Sequence, residues 1–490
     1  MWENDDHLNI RSHDYWVKTV DFLQQNWALI EDVAPGVVVV YFLGDTGGVF
    51  DKLTFRSRLK AERGLRRNGF CRYDEDKELQ RFLEVPTEAF HWAAHPNGRI
   101  YSSGRFWLPA RERVKTGCPE GSEELLNRLL TVGQIRIRRG KLFDVAVEPK
   151  STDFDFGKVE GMLMGIAIGD SLGRTTESLL PAERKRRYGE IRDYIPDRHT
   201  TDGRGLPSDD TQLSFWTLDQ LICDGGLNPA NVAHRIATGG RIFGLGSAVR
   251  QFITNYKAGV PWYESGMDSG GNGALMRIAP ILLPHLRTGG VKVWSDTALA
   301  AMITHNNYAS ISACLAFTSM LWELLDMEGK APDRKWWRNR YVEIAADLEG
   351  DAEYEPRSGR FLDYKGPLWK YVKEKLTWAE SNNLSVVEAC DAWYSGAFLL
   401  ETVPSVLYVL MRHAEEPIEA MVRAINDTKD NDTVGAIVGA ALGALYGREA
   451  FAPQWVTDLS GRTSLDDDGR VFEIIKEART TFWDGKISNG

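Results

Sequence analysis

The chain has 490 residues, 43% hydrophobic and 26% charged, the composition of an ordinary folded protein too long for one hydrophobic core. Asp and Glu number 69 against 59 Lys and Arg, a net charge of −10, which argues against a general nucleic-acid or anionic-membrane surface. Five cysteines, far apart and without a CxxC pair, argue against a disulfide framework or zinc site and suit a reducing, cytoplasmic compartment.

The opening stretch MWENDDHLNIRSHDYW lacks the apolar core of a signal peptide. No apolar run reaches the roughly 18 residues of a membrane span. Residues 1–30 read as a helical lead-in anchored by Trp16, Val20, Phe22, Leu23 and Trp27. The stretch 36–44, GVVVVYFLG, reads as a buried strand closing in the tight turn Gly44-Asp45-Thr46-Gly47-Gly48. Neither GxxxxGK[ST] nor GxGxxG is present, so the turn is not a phosphate loop. Residues 52–68 form a basic amphipathic stretch, expected helical, with two readings: a solvated face or a surface for an anionic partner. Residues 70–110 are rich in aromatics, and NGRIYSSGRFWLP (97–109) is hairpin-like. His91 and His95 lie four apart, but without HExxH and directly before Pro96, which disfavours a metal site. A short helix is expected over 120–130, and GQIRIRRGKLFDVAVEP (133–149) alternates like strands. Together 1–155 read as a smaller α+β domain, ending near 149–157 where Pro149 and KSTDFDFG interrupt the pattern.

From 156 to 490 the periodicity is helical. It runs over 158–173, 209–223, 229–238, 245–253, 271–285, 293–301, 308–326, 335–348, 365–379, 385–398, 402–413, 415–426, 432–446 and 470–480, with a loop over 350–365. An all-α domain is predicted. In the first of these helices Gly161, Gly165 and Gly169 fall four apart on one face, where another backbone can come close.

Two acidic corners stand out. Ser208-Asp209-Asp210-Thr211 precedes an amphipathic run holding Leu213, Phe215, Trp216 and Leu218, and Asp430-Asn431-Asp432-Thr433 precedes the small-residue run VGAIVGAALGALYG. Either corner alone reads as a helix cap with an acidic first turn. Two of one layout, each with paired carboxylates and a hydroxyl, read instead as oxygen ligands for hard cations. Neither corner holds His or Cys, so magnesium or manganese is favoured over zinc. Between them, SGGNGALMRIAP (269–280) is either a plain helix start or a turn offering backbone N–H groups to a phosphate or ribose. THNN (304–307) places His305 at another helix start, for packing or for a ligand, and Gly244-Leu245-Gly246-Ser247 is a flexible corner.

Taken in order, GMLMGIAIGDSLGRTTE, GLPSDDTQ, GNGALMRIAPI, ITHNN and DNDTVGAIVGAALGALYG resemble the motifs of the ADP-ribosylglycohydrolase family, across about residues 158–450. The resemblance implies a compact all-helical domain with two Mg2+ ions, sometimes Mn2+, at the base of a cleft. It implies metal ligands at Ser208, Asp209, Asp210, Asp430, Asp432 and Thr433, and an acidic cleft residue at Glu177. It also implies ribose and phosphate contacts at Gly271, Asn272, Gly273 and Met276, with His305 facing ADP-ribose. Where the family commonly has Gly-Gly before its second acidic motif, this chain has Thr428-Lys429. The linker 183–206 is arginine-rich, either solvated or facing a phosphate or the attached macromolecule. The first 150 residues match no family pattern. Recognition of the modified target, covering of the cleft, and binding of an ADP-ribosylating enzyme or toxin are their three readings.

The expected reaction is magnesium-dependent removal of ADP-ribose from an ADP-ribosylated protein by hydrolysis at the ribosyl C1″, through an oxocarbenium-like transition state favoured by nearby carboxylates. Asp209 or Asp210 is the first choice to assist the water, with Glu177 the other candidate. No Ser/His/Asp or Cys/His arrangement calls for covalent catalysis. The rival readings are a non-catalytic module that binds ADP-ribose or a toxin, and a hydrolase of another ribosyl compound.

Overall fold

The structure, a computed structural model, describes residues 8–20, 24–77, 79–86, 89–96, 103, 121–196, 203–465, 467 and 469–485. The backbone divides into two compact units, Met1–Arg113 and Val114–Gly490.

The first unit is a sheet with strands β1 (Tyr15–Val20), β2 (Gln24–Ala34), β3 (Val37–Leu43), β4 (Gly48–Phe55), β5 (Cys71–Arg72) and β6 (His91–Trp92) in the order β5-β1-β2-β3-β4-β6. β1 to β4 form an antiparallel meander, β5 joins β1 antiparallel, and β6 joins β4 in parallel. Of the helical lead-in expected over 1–30, residues 15–20 and 24–30 are instead strand, while 1–7 and 21–23, with the expected anchors Phe22 and Leu23, lie outside the described residues. Both sheet faces are covered. Trp16, Ala28, Ile30, Val40 and Phe42 pack under helix α1 (Arg58–Arg67), and Val17, Trp27, Leu29, Leu43 and Val49 pack on the other face with Phe90. A strand buried on both faces shows no apolar alternation, which is why its sequence misleads.

Residues 52–55 of the basic stretch belong to β4, and the helix starts at Arg58 after Ser57, whose side chain accepts from Lys60 N–H. Arg58 pairs with Asp14 and Asp32, and Arg66 pairs with Glu75 and lies over Trp16. Part of the basic stretch is thus spent on internal acids. His91 is on a strand rather than a helix, so the four-residue spacing to His95 brings no shared face. The hairpin-like segment 97–109 lies outside the described residues apart from Ser103.

The second unit begins, among the described residues, with α2 (Ser122–Thr131), as expected. Residues 133–149 are not strands. Ile135 and Ile137 are buried while Arg136 and Arg138 are exposed, so the alternation is real, but the chain lies extended against helices instead of in a sheet. Trp294 Nε1 donates to Val145 O at 2.7 Å, and Val147 bridges Gly290. These contacts join 133–149 to the helical unit, so the compact units part at Arg113/Val114, ahead of the expected 155/156 boundary.

The remaining helices are α3 (Gly157–Arg174), α4 (Pro181–Tyr188), α5 (Asp209–Asp224), α6 (Pro229–Thr238), α7 (Ser247–Lys257), α8 (Trp262–Ser265), α9 (Lys292–Met302) and α10 (Tyr308–Asp326). They continue with α11 (Arg334–Glu349), α12 (Leu368–Ser381), α13 (Val386–Trp393), α14 (Leu399–His413), α15 (Pro417–Asp427), α16 (Asn431–Tyr446), α17 (Pro453–Thr457) and α18 (Arg470–Arg479). The protein is thus a mixed α+β domain followed by a largely all-α region. Residues 271–285, expected helical, form short 3-10 turns at Leu275–Arg277 and Ala279–His285, since Pro280 and Pro284 cannot supply helical N–H donors. α13 stops at Trp393 because Tyr394 and Ser395 take φ of 76° and 45°. α10 is long and apolar enough to cross a membrane by length and composition alone, and 89% of its apolar window is buried inside the protein.

α3 and α16 are the central pair, in direct backbone contact. A Cβ placed on Gly161, Gly165, Gly169 or Gly173 would lie closer than 3.0 Å to the backbone of Gly447, Gly439, Gly435 or Asp432 respectively. The order of these partners makes the helices antiparallel. Glycine at every fourth position removes the side chains that would hold them apart. The end of α3 is thereby pressed against the start of α16, which brings two acidic segments of distant sequence together.

Candidate active site

Asp170, in the last turns of α3, organises the first acidic corner. Its carboxylate accepts from Ser208 N–H on both oxygens (2.9 and 2.8 Å), from Ser208 Oγ (2.6 Å), from Thr211 N–H (3.0 Å) and from Thr211 Oγ1 (2.6 Å). Ser208 occupies the N-cap position of α5, yet its side chain serves Asp170 and makes no cap bond. The first-turn N–H of Thr211 is met from another helix. Asp209 and Asp210 are thus left free of capping duty.

The second corner is held from three sides. Asn272 Nδ2 donates to Asp430 Oδ2 at 2.6 Å and to Thr402 Oγ1 at 3.0 Å. Ser395 accepts from Asp430 N–H at its carbonyl and from Lys429 N–H at its Oγ, both at 3.0 Å. Left-handed backbone at two consecutive non-glycine residues is strained, and these bonds hold Tyr394 and Ser395 there. Arg184 lies beneath, buried, donating to the carbonyls of Asn426, Thr428 and Lys429. Burial pushes its guanidinium down to about 10, opposed by Asp432 and Asp427. This arginine of the 183–206 linker is therefore a structural clamp and faces neither solvent nor ligand.

The two corners open into one cavity of about 180 Å3. Glu177, Asp209, Asp210, Asp430, Asp432 and Thr433 line it, as do Gly271, Asn272, Gly273, Met276 and His305. Ser208 is the one sequence-predicted site residue that does not line it, being turned toward Asp170. The flexible corner Gly244–Ser247 contributes Gly244, Gly246 and Ser247, and Gly244 abuts Asp209 Oδ1. The glycine loop is fixed by Asn272 N–H donating to Ala397 O at 3.2 Å and by Ser310 Oγ donating to Gly271 O at 3.2 Å. His305 is buried, its Nδ1 at 2.9 Å from Thr304 Oγ1, and burial together with Arg277 pushes it down to about 3. It presents a neutral ring.

The acids crowd one another. Oxygens of Asp170, Asp210 and Asp432 lie within 4.8 Å of each other, as do those of Glu177, Asp430 and Asp432. The two groups share Asp432 and make one continuous acidic patch. Burial first, then neighbouring carboxylates, hold Asp209, Asp210 and Asp432 well above the usual range. Glu177 is the member open to solvent, while loss of hydration at its carboxylate, then Asp430 and Asp170, push it up to about 7. Asp210 Oδ1 is buried with no hydrogen-bond partner. An orphaned carboxylate oxygen in an all-oxygen, like-charged cluster fits a hard divalent cation.

The sequence points to the two acidic corners, Thr211 included, and to Glu177, but gives no role to Asp170 or to Arg357, which also lines the cavity. Asp170 was visible as the acid that ends the glycine-spaced helix. Its role lies in partners 38 and 41 residues away.

The family profile described as ADP-ribosylglycohydrolase matches residues 151–481. The chain belongs to that family. A relative from Rhodospirillum rubrum, ADP-ribosyl-[dinitrogen reductase] glycohydrolase, is 26% identical over 319 residues, covering 64% of this chain and 94% of that one. ADP-ribosylarginine hydrolase Tri1 of Pseudomonas putida (strain GB-1) is 23% identical over 314 residues, covering 61% and 73%. ADP-ribosylhydrolase ARH3 of Homo sapiens is 22% identical over 334 residues, covering 63% and 91%. The ADP-ribosylglycohydrolase match spans most of the helical unit and none of the sheet unit.

Proposed function

We propose that this chain is a metal-dependent hydrolase that removes ADP-ribose from an ADP-ribosylated protein side chain by cleaving the ribosyl C1″ bond. The observation that carries this reading is the convergence of both acidic corners, the glycine loop and a neutral His305 on a single cavity. Family membership and relatives whose names specify ADP-ribosyl hydrolysis support it.

In this reading Asp209, Asp210, Asp430 and Asp432, with the hydroxyl of Thr433, would hold two Mg2+ ions, or Mn2+ in their place, while Ser208, expected as a ligand, instead fixes the first corner through Asp170. Bound divalent cations supply Lewis-acid stabilisation and orient the ribose hydroxyls. Glu177, open to solvent at the cavity edge, has the access needed to take a proton from the attacking water. Asp209 and Asp210 lie deeper and place negative charge where the oxocarbenium-like centre develops. Gly271, Asn272, Gly273 and Met276 form the wall that meets the ribose and phosphates, and His305 faces the same ligand without adding charge.

The sheet unit keeps the three roles expected of it: recognition of the modified protein, covering of the cleft, or binding of an ADP-ribosylating enzyme or toxin. A reducing, cytoplasmic setting suits the described cysteines Cys71, Cys223, Cys314 and Cys390, which are thiols rather than disulfides. The reading is tested by Asp209→Ala and Asp432→Ala, each expected to abolish ADP-ribose release from a modified protein. Full activity in both variants would sink it.

A further inference from the structure

The loop between α11 and α12 places one cation on the wall of the acidic cavity. Tyr354 and Gly366 bridge across the loop, and Tyr354 OH lies 3.0 Å from both Asn307 Oδ1 and Ala309 N, beside the His305 corner. Arg360 N–H donates to Ala392 O at 2.7 Å on the other side. Arg357 is held between these anchors, exposed, with its guanidinium carbon 4.2 Å from the centre of the Phe398 ring. Phe398 bridges Gly271, and its ring packs against Gly270, so Arg357 stands over the wall that carries the glycine loop.

The charge balance of the cavity is lopsided. Its described lining includes Glu177, Asp209, Asp210, Asp430 and Asp432, with Arg357 the sole lysine or arginine among them. Among the described residues no carboxylate forms an ion pair with Arg357; the nearby buried Glu401 is pushed up to about 7 by burial, with the Phe398 N–H and Arg357 opposing. Its fork of donors is available to a ligand. A diphosphate entering a cavity walled by carboxylates needs a cation on the side away from the metal ligands, and guanidinium geometry suits phosphate oxygens.

We infer that Arg357 is a substrate-binding residue that recognises the diphosphate of an ADP-ribosyl group; this rests on the proposed reading of the cavity. The anchored loop presents the guanidinium, the Phe398 ring supports its face, and its N–H groups point to the phosphates while the ribose lies toward the acidic floor. Arg357 contributes to binding and not to the bond-breaking step, so its loss raises KM with little change in kcat.

The test uses the full chain in magnesium buffer and measures ADP-ribose binding by calorimetry for wild type, Arg357→Met and Arg357→Lys, with magnesium-dependent thermal stabilisation as the folding check. The expected result is binding about ten-fold or more weaker in Arg357→Met. Arg357→Lys should lie between, and added NaCl should weaken wild-type binding more steeply than that of the Met variant. Equal affinity in wild type and a folded Arg357→Met protein, or equal salt dependence, overturns the inference and leaves the hydrolase reading standing. Absence of ADP-ribose binding by the wild type overturns both.

Discussion

A Cβ on Gly173 would lie closer than 3.0 Å to the backbone nitrogen and Cα of Asp432. The end of α3 and the start of α16 therefore touch through backbone atoms, and the acidic cluster exists because nothing larger than glycine separates them. The same contact recurs along the pair at Gly169 with Gly435 and Gly165 with Gly439. Gly165→Ala should destabilise the helical unit by roughly 1–3 kcal/mol, because the clashing partner is backbone and cannot rotate away. Gly121→Ala, with φ −64 and open space around its Cβ position, should cost about 0.5 kcal/mol as an N-cap change. Urea unfolding followed by tryptophan fluorescence compares the two.

Asp170 holds the Ser208–Thr211 corner through both oxygens, Oδ1 taking the Ser208 hydroxyl and Oδ2 that of Thr211. Asp170→Asn puts an amide donor where Ser208 and Thr211 already donate, so the corner loses its pairing. Magnesium should then raise the melting temperature of the variant by much less than that of the wild type, and activity should fall in parallel. An unchanged magnesium-dependent shift would show that Asp170 does not position the corner.

Arg184 clamps the turn that leads into Asp430. A lysine cannot reach the carbonyls of Asn426, Thr428 and Lys429 together, so Arg184→Lys should lose about 1–3 kcal/mol. Its affinity for magnesium, read by titration calorimetry, should drop as well. A stability loss without an affinity loss would assign Arg184 to folding alone.

Glu349, buried at the end of α11, accepts from Leu368 N–H at 2.5 Å and Trp369 N–H at 2.9 Å. Burial pushes it up from 4.5 to about 8, with those two bonds opposing. The raised pKa means that the folded state favours the protonated form. Its contribution to stability is complete below the unfolded value near 4.5 and is lost as pH rises through about 8. Glu349→Gln carries no such proton. The melting temperature of the wild type minus that of the variant should shrink between about pH 5 and pH 8.5, and a flat difference would contradict the sign.

Much of this site is legible in the sequence because its chemistry is written in short runs. Asp209-Asp210, Asp430 with Asp432, and the glycine loop each declare themselves by composition, and Gly161, Gly165 and Gly169 announce a close helix contact by spacing. What escaped depends on partners. The buried polar groups Asp170 and Arg184 are defined by atoms tens to hundreds of residues away. Arg357 lies in a loop with no periodicity to read. Elsewhere the pattern misled for a physical reason. Trp16 and Val17 are buried on opposite faces of a sheet covered on both sides, which hides the strand. Ile135 and Ile137 alternate with arginines while lying on helices, which mimics one.

The most direct test of the central claim is a product assay on ADP-ribosyl-arginine and ADP-ribosyl-serine proteins, with the full chain, magnesium or chelator, and an Asp209→Ala control. The account predicts release of free ADP-ribose from at least one linkage, lost on chelation and in the variant. No release from either linkage by a folded, magnesium-loaded chain that still binds ADP-ribose would contradict it and leave a binding module.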